Sequence, residues 1–350
     1  MSSWRYISII YARFFCIPIL SLGILGDVLN IYLFLTVSMY RQTPSTFYLL
    51  CSVIASFIHL TIAMSTRILM VGFDNDLTCS SLIWCKARQF IIATYAPLGL
   101  TFASLPIFDQ FLVTSRNVRL RQFSNMKNTH RIVVAFIIFW HIHSMPFLVY
   151  NQIRSNECVI NNKILSIYWP YIHFFCVLLT IPTITLVTFG YLAYKNMRCL
   201  AKSGQLIGAG RQLITMVCLQ LTFVVVATIL FAKSGQLIGA GCQLITMVCL
   251  QLTFVVVATI LFGIYNTYIL STSNRNKSAE QVDQDFLFLT VTSLLGLFNF
   301  GGSFYVFLAA SSRFRQTVRQ RLCCCYGKTN KINPNTIFTI RETNCALKII

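Results

Sequence analysis

Charge is scarce in this chain, and acid is scarcest. Only 11% of the 350 residues are charged, and Asp and Glu together number nine. A soluble domain carries about 25% charged residues, so a water-facing globular surface is excluded. The two-residue alternation of barrel strands is also missing, which leaves helices to satisfy the backbone in lipid. No HExxH, GxSxG or Walker pattern is present, and the chain is expected not to be an enzyme. The GQLIGAG stretch is not a phosphate loop, because no Lys-Ser/Thr follows at the required spacing. His59, His130, His141, His143 and His173 lack the spacing of zinc ligands. No metal or cofactor is expected, and these histidines read as polar contacts between helices. No cleavable signal peptide opens the chain. MSSWRYI leads straight into an apolar run carrying Arg13, which reads as the first membrane helix and the insertion signal.

Hydrophobic residues make up 56% of the chain. They fall in runs of roughly 20, the length that crosses a bilayer core. Spans are expected at about 14–37, 46–72, 83–113, 132–151, 165–194, 212–231, 243–270 and 286–310. The expected class is an all-α membrane protein. Two of these eight runs are copies. Residues 201–231 read AKSGQLIGAGRQLITMVCLQLTFVVVATILF, and residues 232–262 repeat them with Arg211 replaced by Cys242. Repeat architectures stack several diverged units, and transporter repeats span several helices. Two near-identical copies of one span point instead to a recent tandem duplication or an error in the gene model.

Charge sets the expected number of crossings. With the N-terminus outside and the duplicate counted once, seven spans result. Arg41, the loop with Arg116, Arg119, Arg121, Lys127 and Arg131, the stretch from Lys195 to Arg211, and the basic tail 313–350 then all lie inside. Most of the acids, from Asp74 and Asp76 to Glu157, Glu280, Asp283 and Asp285, lie outside. That is the positive-inside pattern. If both copies crossed, the basic tail would be outside and STSNRNKSAEQVDQD inside. The net charge of +19 needs no nucleic acid, since a basic cytoplasmic face meets anionic lipid.

Cys85 and Cys158 both fall in extracellular segments of the seven-span arrangement, where disulfides form. A bridge between them would tie the start of the third helix to the loop after the fourth. Cys79 is a competing partner, because three extracellular cysteines leave one over.

Asp109 and Gln110 follow Cys85 by 24 and 25 residues, and a basic loop comes next. Here the chain resembles the rhodopsin-like G-protein-coupled receptors, in which the disulfide cysteine precedes the arginine of an Asp-Arg-Tyr triplet by that interval. Asp109-Gln110-Phe111 is similar to the triplet with glutamine for arginine and phenylalanine for tyrosine. Glutamine cannot make the charge-assisted pair that arginine makes. Gly26-Asp27-Val28-Leu29-Asn30 resembles the family's first-helix Gly-Asn-x-x-Val, with Asp27 at the asparagine position. An acid within a span should face the bundle and find a polar partner. Leu49-Leu50-Cys51-Ser52-Val53-Ile54-Ala55-Ser56 resembles the second-helix pattern, with Ser56 in place of its acid. The family's sodium site is therefore not expected.

Trp140 in the fourth helix and Pro182, a kink residue in the fifth, agree with the pattern. The sixth-helix Trp-x-Pro is absent from both copies. Counting back from Phe314 puts Phe307 at the seventh-helix tyrosine and Ser303-Phe304 at Asn-Pro, with Asn299 and the Gly301-Gly302 pair nearby. Those glycines could bend the helix instead. RFRQTVRQRL resembles the amphipathic eighth helix, and Cys323, Cys324 and Cys325 behind it are palmitoylation candidates. Asn276 opens a glycosylation sequon.

The resemblance is to a divergent, invertebrate orphan branch, and it covers nearly the whole chain in topology while its short motifs are mostly altered. It implies a seven-helix bundle with a short eighth helix, a plasma-membrane location, an extracellular ligand and a heterotrimeric G protein as partner. The seventh helix has no lysine for a retinal Schiff base, and the outer half of the third has no acid to hold an amine. A transporter or channel, and a non-functional duplicated receptor, are the competing readings.

Overall fold

The structure is a computed structural model and describes residues 3–154, 157–201 and 278–323, with isolated positions between 260 and 272. The tandem copies beyond Ala201, the expected span 212–231 and most of 243–270, Asn276, Cys324, Cys325 and the rest of the tail lie outside the described residues. Asn299 and Cys323 are described in backbone only.

Five described helices are long and apolar enough to cross a membrane: α1 (Ser3–Thr36), α2 (Pro44–Phe73), α3 (Leu82–Thr114), α4 (Met126–Tyr150) and α5 (Lys163–Ala193). By length and composition this is a mostly helical membrane protein. A further helix, Ala279–Gly301, is interrupted at Gly302 and resumes as Ser303–Ala310, so the glycine pair does break the last long helix. Ser312–Val318 then runs into the wider turns of Arg319–Cys323.

The ends follow from local chemistry. Pro44 occupies the first turn of α2, where its missing N–H costs nothing. α2 stops at Asp74, whose backbone is left-handed (φ 52°), a conformation Asp tolerates better than most residues. Ser81 caps α3 by accepting from the Trp84 N–H at 3.3 Å. Asn125 does the same for α4, from Asn128 at 2.9 Å. Before Pro18 and Pro182, which lack the N–H that an α-turn needs, the chain takes wider turns over Tyr11–Cys16 and Trp169–Thr180.

Two features depart from expectation. α1 begins at Ser3 rather than near residue 14, and its 34 residues are about 51 Å long at 1.5 Å each. That exceeds a bilayer core of about 30 Å, and its first turn meets the start of the last long helix, with Trp4 Nε1 donating to Glu280 at 3.4 Å. The loop after α4 is a small antiparallel hairpin, β1 (Asn151–Arg154) and β2 (Glu157–Ile160), pairing Ile153 with Cys158. Two strands alone are marginal in water; here the Cys158 disulfide fixes them to α3.

α3 is the axis of the bundle. α2, α4 and α5 pack on it, and its buried face carries Ala96, Leu100, Ala103 and Ile107 into one apolar cluster with Leu33, Val53, Phe304 and Phe307. α4 presents Ile138, Phe139, Ile142, Met145 and Val149 outward, which suits a face turned to lipid tails. α1 and the last long helix meet through glycine. A Cβ built on Gly301 would lie 2.6 Å from the Gly23 Cα, so the two backbones come closer there than any side chain permits.

Candidate functional site

Asp109 lies in the last turns of α3 and is 4% exposed. Both of its carboxyl oxygens are engaged by hydroxyls from other segments. Ser45, in the first turn of α2, donates to Oδ2. Ser124, in the turn before α4, donates to Oδ1 at 2.5 Å. Gln110 donates its side-chain amide to Ser45 Oγ at 3.3 Å, completing a chain from glutamine through serine to aspartate. One buried carboxyl group thus ties α2, α3 and the entry to α4. Acid at the start of α2 also suits the positive end of that helix's dipole.

Phe111 points the other way. Its ring centroid is 5.5 Å from that of Phe189 in α5, and Phe108 approaches the same ring at 4.9 Å. Asp109, Gln110 and Phe111 therefore hold α2 and the α3–α4 turn on one side and α5 on the other. Around this end Arg116, Arg119, Arg121, Lys127 and Arg131 are exposed.

Asp27 and Asn30 are fully buried in α1. Ser303 links them. It accepts from Asn30 Nδ2 at 2.9 Å and donates to Asp27 Oδ1 at 3.4 Å. Asp27 Oδ2 and Asn30 Oδ1 have no hydrogen-bond partner. Asp27 is buried against the last long helix, and Ser303 is its polar partner. Ser56 is buried too, but it belongs to the α2–α3 seam, where a Cβ on Gly99 would come within 3.3 Å of its Oγ. It is not part of the Asp27 group. One turn away Ser52 donates to the Gly99 carbonyl at 2.9 Å.

At the opposite end of the bundle Cys85 and Cys158 form a disulfide, with Cα atoms 5.8 Å apart. The competing Cys79 is a free thiol and donates to Asp76 Oδ2 at 3.1 Å. Burial, then the Asp76 carboxylate, hold that thiol above its ordinary pKa. Asp76 lies below the usual carboxylate range, burial being outweighed by donors from Thr78 and Cys79.

Trp140 bonds α4 to α3, its indole N–H reaching Thr101 Oγ1 at 3.2 Å. Pro182 is buried where the wider turns of α5 end. His143 of α4 meets the Tyr168 hydroxyl of α5 at 2.5 Å, and the His173 ring of α5 lies 5.8 Å from that of His143, so these two histidines sit in polar and ring contacts between α4 and α5.

Sequence reasoning missed Ser45 and Ser124, the partners that define the Asp109 site. Single serines have no pattern, and only the rule that a buried acid needs donors pointed to them. It also passed over Arg67 and Arg88, near the disulfide end of α2 and α3. Compared with protein-family models and with curated proteins, the chain matches none.

Proposed function

We propose that this chain is a seven-helix receptor of the plasma membrane, of the rhodopsin-like G-protein-coupled kind. In this reading the N-terminus is outside, the tail from residue 313 is cytoplasmic, and one of the two tandem copies supplies the sixth helix. An extracellular ligand shifts the bundle between two packings, and the Asp109 end presents the change to a heterotrimeric G protein. Anionic lipid meets the basic face.

The observation that carries this is the arrangement at Asp109. A buried acid at the basic end of the central helix is satisfied only by groups from segments that must move for that end to open. Hydroxyl donors hold without an opposite charge, so the latch is weaker than an ion pair with arginine would be. Gln110 serves as a hydrogen-bond relay where the family's arginine would be a charged partner.

The test is nucleotide exchange on a panel of purified heterotrimeric G proteins by the full chain in nanodiscs. Basal exchange above that of empty nanodiscs, raised by Asp109→Asn, supports the receptor reading. No exchange with either form, from protein that is folded and monodisperse, sinks it. The intramembrane Asp27 with an unpartnered oxygen favours a transporter as the second reading; cation flux into proteoliposomes, abolished by Asp27→Asn, would select it.

A further inference from the structure

The chain has 28 basic residues and nine acids, and two of its arginines are half-buried between α2 and α3. Arg67 is six residues before the end of α2, and Arg88 is six residues after the start of α3. At 1.5 Å per residue both lie about 9 Å inside the disulfide end. The helices that carry them are packed together, and Arg88 bonds to Thr66, the residue beside Arg67.

Their donors are not used up. Arg67 Nε and Nη2 are shut off from solvent and have no hydrogen-bond partner. Arg88 is held by one bond, from Nε to Thr66 Oγ1 at 2.9 Å, which aims its guanidinium toward the neighbour of Arg67 on α2. Trp84 stands four residues before Arg88, on the same face of α3, and its buried indole N–H is also without a partner. Every unfilled atom in this group is a donor. Next to Trp84, Cys85 anchors the disulfide, so the group lies beneath the covalently fixed end of the loop.

Among the described residues no acid supplies the missing acceptor. Eight of the nine acids lie among the described residues, and none of the eight is in ion-pair contact with Arg67 or Arg88; the ninth, Glu342, is in the tail. Asp76, near the same end of the bundle, already accepts from Thr78 and Cys79, and the Tyr265 hydroxyl donates to the Asp285 carbonyl at 2.6 Å. A long basic side chain near a helix end ordinarily keeps its head in water, but Arg67 Nε and Nη2 do not reach it. A buried cation left without a counter-charge is strongly unfavourable, and a planar guanidinium matches a carboxylate in two parallel bonds.

We propose that Arg67, Arg88 and the Trp84 indole bind the carboxylate of a small organic anion. That the anion enters from outside and acts as the receptor's ligand rests on the function proposed above; the binding itself does not. The test therefore uses no G protein. The full chain in a nonionic detergent is melted with sodium acetate and sodium octanoate at constant ionic strength, beside octanamide and sodium chloride. Both carboxylates are expected to raise the midpoint by about 3 °C or more at saturation, and octanamide and chloride are not. The rise is expected to vanish in Arg67→Gln and in Arg88→Gln.

Failure of both carboxylates to raise the midpoint overturns the site, as does a rise with octanamide equal to that with octanoate. A rise with chloride equal to that with acetate makes this an inorganic-anion site and overturns the carboxylate assignment. So does a rise retained in both variants. Should the variants not fold, phenylglyoxal labelling of the wild-type chain decides. Octanoate is expected to slow modification of Arg67 and Arg88 but not of the exposed Arg119, and modification of Arg67 and Arg88 unslowed by octanoate would overturn the proposal. A chain that binds octanoate this way yet turns over no G protein would leave the site standing and remove only the receptor reading.

Discussion

Ser124 Oγ lies 2.5 Å from Asp109 Oδ1, so a turn after α3 is bonded back to the helix it has just left. With Ser45 on the other oxygen, the buried carboxyl group closes one end of the bundle by neutral donors alone.

Such a latch should be easy to loosen. A hydrogen bond to a charged group contributes roughly 1.5–3 kcal/mol, and about 1.4 kcal/mol shifts a two-state equilibrium tenfold. Asp109→Asn and Ser45→Ala should each raise basal G-protein activation about tenfold, measured by nucleotide exchange. Ser124→Ala should act in the same direction, since it removes the second donor. Unchanged basal exchange in all three would remove Asp109 from any switching role.

The close approach of Gly23 and Gly301 leaves no room for a methyl group. Gly301→Ala should lower stability by about 1–3 kcal/mol through forced separation of the backbones. The same change at Gly190, where an added Cβ meets nothing within 4 Å, should not. Melting of the two variants in detergent checks the pair, and equal melting points would contradict the glycine contact.

Breaking the disulfide should cost about 2–4 kcal/mol in both Cys85→Ser and Cys158→Ser, with no further loss in the double variant. Cys79→Ser should leave the bridge intact, as seen by mass mapping of the non-reduced protein.

The Cys79 thiol should alkylate slowly. Its pKa in the folded protein is raised by burial and by Asp76, so thiolate is scarce through the pH range where an ordinary cysteine reacts. Iodoacetamide labelling of Cys79 should therefore rise at higher pH than in the denatured chain. Asp76→Asn should bring the profile back toward ordinary values. A profile identical in folded and denatured protein would contradict the Asp76 contact.

The hydrophobic runs made α2, α3, α4 and α5 legible to within a few residues at most ends, because spanning lipid demands length and composition that nothing else in a sequence imitates. The start of α1 was misjudged because SWRYISII mixes polar and apolar residues, and its helix is held by neighbours such as Glu280. The hairpin at 151–160 was invisible for a related reason. Four-residue strands carry little periodicity, and what fixes them is the bond at Cys158. The Cys85–Cys158 pairing was open to Cys79 until Asp76 was found to engage that thiol. Asp27 could be read as needing a polar partner, but its bonding through Ser303 depends on Gly23 and Gly301 bringing α1 and the last helix together. Arg67 and Arg88 pass unremarked in a chain with 28 basic residues, since only their place between α2 and α3 and the unpartnered donors of Arg67 distinguish them.

The receptor reading depends first on which side of the membrane the Asp109 end and the tail occupy. The most direct measurement places one epitope tag after Ile350 and another before Met1, and compares antibody binding on intact and permeabilised cells. The account predicts that the N-terminal tag is bound on intact cells and the C-terminal tag only after permeabilisation. Binding of the C-terminal tag on intact cells would mean that both tandem copies cross, with the basic tail outside, where no G protein could meet it.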